Sequence, residues 1–116
     1  MQKLFILGFA ALVFILILLS GCVQQEAGSG SGAAKTSAEL ASDKCVQLCN
    51  AELEKGTDLG NGPCLSNSVA EDWVCDVAHM PRTEIDNNPA NQCPEFGKTA
   101  NHFVEVDEGC KVIRAV

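Results

Sequence analysis

The stretch Cys45-Val46-Gln47-Leu48-Cys49 decides how the chain folds. Two cysteines four apart are neighbours on one face of a helix, with Cβ atoms about 5–6 Å apart. A disulfide needs about 3.5–4.5 Å. On a helix, then, the two cannot bond each other, and each must reach a partner elsewhere. The helix itself is well marked. Thr36-Ser37-Ala38-Glu39 fits a capping box, with Thr36 as N-cap and Glu39 reaching back to it. Helix-compatible residues run on to Lys55, and Gly56 suits the left-handed position past the end. Cys45, Leu48, Cys49 and Leu53 share one face at helical spacing, which is expected to be the buried one.

Seven cysteines stand in 116 residues, and six come after Cys22: Cys45, Cys49, Cys64, Cys75, Cys93 and Cys110. Of the fifteen pairings that six cysteines allow, those joining Cys45 to Cys49 drop out and the others stay open. The staples are needed. The apolar fraction of 47% is concentrated in Leu4 to Leu19, which also holds Phe5, Phe9 and Phe14. Behind that run stand only Phe96, Phe103 and Trp73 as aromatics, and no Tyr. A core that small supplies about 3–5 kcal/mol at most, whereas each disulfide adds about 2–4 kcal/mol.

C-terminal to the helix, Asp58 to Ser68 is rich in turn formers and is expected to be a loop carrying Cys64. Trp73 to His79 alternates as a strand, with Trp73 and Cys75 inward. Trp73 is read as the main core side chain rather than as a binding anchor. Met80 to Gln92 holds two prolines and forms a long loop pinned at Cys93. His102 to Val116 reads as a hairpin turning at Asp107-Glu108-Gly109, with Gly109 left-handed. Its register sets Val104 opposite Val112, Val106 opposite Cys110, His102 opposite Arg114, Phe103 opposite Ile113 and Glu105 opposite Lys111. The expected fold is a small disulfide-rich α+β domain: an N-terminal helix stapled to a short antiparallel sheet that ends in a C-terminal hairpin.

Ahead of this domain, Lys3, the apolar run and the small residues Ser20 and Gly21 make a secretory signal. The run is about 24 Å long as a helix, short of the roughly 30 Å hydrocarbon core. Leu19-Ser20-Gly21-Cys22 resembles the lipobox of prokaryotic lipoprotein precursors, bacterial and archaeal. The resemblance covers residues 1–22. It implies a signal peptide over 1–21, cut before Cys22, and a lipid such as palmitate on the Cys22 sulfur. A signal kept as an anchor stays open. Residues 22–35 then form the lipidated cysteine and a Gly/Ser/Ala-rich flexible linker, and 36–116 form the six-cysteine domain. The expected place is the extracytoplasmic face of the cell membrane, where cysteines pair. The mature part, through Gly62–Ser66, Asp72–His79 and Asn101–Asp107, resembles uncharacterised small cysteine-rich surface proteins of archaea, a resemblance that carries no residue roles.

A net charge of −7 argues against nucleic acid, whose binding needs clustered Lys and Arg, so no nucleic-acid partner is expected. The expected partners are the membrane, through Cys22, and a protein at the cell surface. Zinc on Cys45, Cys49, Cys75 and His79 is disfavoured, because Cys75 and His79 lie roughly 13 Å apart on a strand. No Cys-x-x-Cys motif offers redox chemistry, and Ser66 and Ser68 lie in no nucleophile motif. Asp86-Asn87-Asn88 lacks the alternating spacing of a calcium loop. The remaining candidates are His79 and His102, with Asp76, Arg82 and the carboxylates Glu71, Asp72 and Glu105 near them in sequence. The two histidines are expected at separate strand ends. The leading expectation is therefore a non-enzymatic binding or structural module without a cofactor or bound metal. A metal-binding protein or hydrolase built on His79, His102 and nearby carboxylates is the alternative. A protease-inhibitor-like module presenting Met80-Pro81-Arg82 is a third class without motif support.

Overall fold

Helix α1 (Ser37–Glu54) opens and closes as its terminal residues dictate. Thr36 Oγ1 accepts from the Glu39 N–H at 3.2 Å, and Glu39 Oε2 accepts from the Thr36 N–H at 2.7 Å. At the other end Gly56 takes φ +82°. Its N–H donates to Leu53 O, and that of Thr57 to Glu52 O, which satisfies the last carbonyls. The structure, a computed structural model, describes residues 32–116. The signal segment, Cys22 and the linker as far as residue 31 lie outside the described residues.

The buried face of α1 is Ala41, Cys45 and Cys49, each fully enclosed, while Leu53 is 41% exposed. The apolar spacing alone places Leu48 and Leu53 on that face. The helix is instead rotated toward Ala41, because the two cysteines must both point at the sheet. Cys45 bonds Cys75 and Cys49 bonds Cys110. The helix is thus stitched twice to the part of the domain that follows it. Cys64 bonds Cys93.

Four strands come after the helix, in the order β1-β2-β3-β4: β1 (Cys64–Ala70), β2 (Trp73–Val77), β3 (His102–Val106) and β4 (Val112–Ala115). The α+β disulfide-rich domain with a C-terminal hairpin is the fold the sequence predicts. Two features differ. Cys64 to Ala70 is a strand rather than a loop; it is an edge strand, polar and twice shifted in register against β2, so it carries no clear alternation. The sheet is also mixed rather than wholly antiparallel, because β2 and β3 pair in parallel, Trp73 beside His102 through Val77 beside Val106. A parallel pair requires a long crossover, and the segment from Ala78 to Asn101 supplies it. That segment holds a 3-10 turn (Glu84–Asn87), the cis Met80–Pro81 peptide and the pin at Cys93.

The hairpin also differs in register. Val106 faces Val112, Glu105 faces Arg114 and Val104 faces Ala115. The left-handed residue is Cys110 (φ 65°), not Gly109. Asp107 explains the wider turn: its Oδ1 accepts from the N–H groups of Gly109 and Lys111, both at 2.9 Å. Cys110, turned toward Cys49, is taken up in the loop and does not face Val106.

Strand alternation divides the sheet into two faces. Trp73, Cys75, Val77, Val104 and Val106 pack with Ala41, Cys45 and Cys49 of α1 into the main core. Val74 packs on the other face with Cys93 and Ala100 of the crossover, joined by Phe103 and Cys64. Among the described residues no helix is long and apolar enough to cross a membrane.

Candidate functional site

Asp76 on β2 and Glu105 on β3 are register partners, and both project to the crossover side. They stand in the floor of a cavity of about 190 Å³. Val74 and Phe103 complete that floor, and Phe96, Gln92 and the Cys93 end of its staple form the crossover wall. Arg82 and Arg114 close the rim.

The two carboxylates have opposite environments. Glu105 is 5% exposed and fully engaged. Arg82 Nη1 donates to Oε1 at 2.7 Å, and Arg114 Nε donates to Oε2 at 2.6 Å. Burial pushes Glu105 up, but the hydrogen bonds from Arg114 and then Arg82 together outweigh it and hold the group below its ordinary value. Asp76 has no such partners. Its Oδ1 is buried and receives no hydrogen bond from the described residues. Burial first, and the Glu105 charge second, push Asp76 up to about 7, against the pull of Arg82 and Arg114. The pocket therefore holds one permanent carboxylate, locked by arginines, and one carboxyl group that exchanges its proton near neutrality.

The walls are held from outside the cavity. Arg82 also donates from Nε to Asn87 Oδ1 and from Nη2 to the Asp86 carbonyl, both at 3.2 Å. Asp86 is the knot of the crossover. Its carboxylate accepts from the N–H of Thr83 at 2.7 Å and from the N–H of His79 at 3.2 Å, and pairs with His79 Nδ1 at 2.7 Å. Burial works against that charge. The hydrogen bonds from Thr83 and His79 prevail and hold Asp86 down at about 2. Gly62 (φ +66°) packs against this knot, and a Cβ there would lie 3.0 Å from Asp86 Oδ1. On the opposite rim the Arg114 guanidinium covers Phe103 at 4.8 Å, and Phe96 meets Phe103 edge-on at 5.2 Å.

Of the residues singled out in the sequence, Asp76, Arg82 and Glu105 converge in this pocket. The histidines do not. His79 lies beside the pocket's support, bridging Asp86 and, through Nε2 at 2.7 Å, Glu108. His102 stacks on Trp73 at 4.7 Å, beside Asp72 at 3.5 Å. Parallel pairing keeps the two apart, because His102 starts β3 next to Trp73 whereas His79 lies past the far end of β2. A hydrolase or metal centre that joins His79 to His102 has no geometry here. Cys45, Cys49 and Cys75 are disulfide-bonded and cannot serve as thiolate ligands. Among the described residues no group of three or more His, Cys, Asp or Glu is arranged to hold a metal ion.

Arg114, Phe96, Phe103 and Gln92 join the site without a sequence motif that marks them. For Arg114 the signal is the hairpin, since the observed register places it across from Glu105. The side chains that line the cavity include no hydroxyl, free thiol or imidazole; their polar groups are two carboxyls, two guanidinium groups and one amide, which offer hydrogen bonding and charge. No family model, curated protein or solved structure matches this chain.

Proposed function

We propose that this chain is a lipid-anchored extracytoplasmic binding module, held at the membrane through Cys22, and that the crossover-side pocket is where it binds. Three disulfides stabilise a domain with few large apolar residues, as in extracellular modules. The observation that carries the binding role is that Asp76, whose Oδ1 is buried and unpartnered, lines an open cavity. A purely structural domain gains nothing from that arrangement, since leaving a buried polar group unpaired costs about 1–3 kcal/mol. A ligand that donates to Asp76 recovers that loss. The lipobox supports the anchor, and the tether of residues 22–35 gives the domain reach above the bilayer.

Two measurements test the reading. Intact mass of the protein from its native host should show loss of residues 1–21 and a lipid on Cys22; an unmodified Cys22 refutes the anchor. NMR spectra of the mature chain in neutral detergent micelles, titrated with mixed small amines, acids, sugars and nucleosides, should show shifts at Val74, Gln92, Phe96 and Phe103. If every mixture leaves those resonances still, the pocket is not a binding site.

A further inference from the structure

The geometry points to a small organic ammonium ion with a compact apolar body as the ligand class of the crossover-side pocket: its N–H groups donate to Asp76, and its body lies against Phe96, Phe103 and Val74. This rests on the pocket being the binding site. The polar groups of the cavity are unequal in what they lack. Glu105 has both oxygens filled by arginine. Arg82 commits Nε, Nη1 and Nη2 to Asn87, Glu105 and Asp86. Arg114, with a side chain 49% exposed, has water for its remaining donors. Among the described residues only Asp76 Oδ1 combines burial with want of a partner. With Asp76 ionised, what the cavity lacks is therefore a donor, which an anion or a bare acceptor cannot supply.

Charge agrees with this. With Asp76 ionised, it and Glu105 equal Arg82 and Arg114 in charge, and both arginines sit on Glu105. The only carboxylate in the cavity without an arginine on it is then Asp76. Neither arginine donates to Asp76, so an ammonium placed there makes a charge-assisted hydrogen bond that the arginines leave unmade. The apolar walls choose the rest of the ligand. Phe96 is 47% exposed although it packs edge-on against Phe103. Its free surface faces the same cavity as Asp76. A cavity of about 190 Å³ admits a small amine rather than a peptide or an oligosaccharide.

The ligand would need Asp76 ionised, so its affinity is tied to proton release. Since Asp76 titrates near 7, affinity should rise about a hundredfold from pH 5 to pH 8, as the ionised fraction rises from about one hundredth to about nine tenths.

The test uses three probes of one size and three charges: n-butylammonium, 1-butanol and butyrate. Each is titrated into the mature chain in neutral detergent micelles and followed by NMR at Val74, Gln92, Phe96 and Phe103. The expected result is binding of the ammonium alone, stronger at pH 8 than at pH 5. Asp76→Asn should remove both the binding and its pH dependence while the remaining spectrum stays folded. Phe96→Ala, at an exposed position, should weaken binding several-fold and leave the pH dependence in place. Preferential binding of butyrate or butanol, or ammonium binding that survives Asp76→Asn, overturns the ligand class and leaves a binding pocket standing. Silence from all three probes, together with silence from the mixtures above, removes the binding site and the ligand class together.

Discussion

One sheet carries two faces that solve opposite problems. On the helix side every inward position is apolar or a half-cystine, and the main core there is closed to solvent. On the crossover side the same strands present Val74, Asp76, Phe103 and Glu105, and the cover leaves a cavity. Alternation alone separates them: Cys75 and Asp76 are adjacent in sequence and face opposite ways. A small domain thus assigns stability to one set of alternate residues and chemistry to the other. The staples make this workable. Both disulfides from α1 act on the helix side, and the sheet they hold can tolerate an unpaired carboxyl on its other side.

The largest test of the contrast is removal of the longest staple. Cys49 and Cys110 are 61 residues apart, and opening that link should cost about 4 kcal/mol from unfolded-chain entropy. Urea titration of Cys49→Ala/Cys110→Ala should find little folded protein at room temperature. A loss below about 1 kcal/mol would mean that the helix side stands on packing alone.

Next is the knot on the crossover side. Asp86→Ala leaves the backbone N–H groups of His79 and Thr83 without their acceptor. It should cost about 3 kcal/mol in urea titration at pH 7 and loosen Arg82. Asp86 sits at about 2 in the folded chain against an ordinary 3.8. Its contribution is thus present above about pH 4 and lost as pH falls toward 2. Acid titration of the parent and the variant should converge across that window; parallel curves would show that the knot is not held by charge.

Asp76 has the opposite sign. Raised to about 7, it keeps in the folded chain a proton that the unfolded chain releases near pH 4. Its presence therefore lowers stability progressively from about pH 4 to about pH 7, and by a constant amount above that. Asp76→Asn should stabilise the domain at pH 8 by on the order of 2 kcal/mol, allowing for the buried amide, and by much less at pH 4. A variant less stable at pH 8 would show that the carboxylate is needed for the fold, and would erase the contrast between the faces.

The smallest effect belongs to His102. It stacks on Trp73 at the sheet's end with its side chain 47% exposed. His102→Ala should cost less than about 1 kcal/mol and leave the pocket's resonances in place. A larger loss would extend the stabilising face to the sheet's end.

Legibility in the sequence tracks the range of the forces involved. The capping box at Thr36, the stop at Gly56 and the division of Cys45 from Cys49 are local, and each is found as the sequence spells it. The alternation from Trp73 is local too, and it already puts Asp76 opposite the core. The pocket itself is not legible, because it depends on which strand lies beside β2 and in which direction. Nothing within Trp73–Val77 or His102–Val106 encodes a parallel pairing. An antiparallel pairing would remove the match of Asp76 with Glu105. Arg114 escapes notice for a smaller reason. Asp107 widens the turn by accepting from two backbone N–H groups, and this moves the partner of Glu105 from Lys111 to Arg114.

The third staple has a consequence for how fast the chain finds this arrangement. Each β2–β3 pair joins residues 29 apart, for 102 − 73 = 29, and the Cys64–Cys93 bond spans 29 as well. With that bond made, Cys93 is already moored beside the β1–β2 hairpin. Only nine residues, 102 − 93 = 9, then separate the mooring from the start of β3. Closing a gap of that size rather than the full crossover saves about 1 kcal/mol of loop entropy. Oxidation at Cys64 and Cys93 should therefore speed the zipping of β3 onto β2 roughly fivefold. The bond farthest from the helix then acts as a pacemaker for the centre of the sheet.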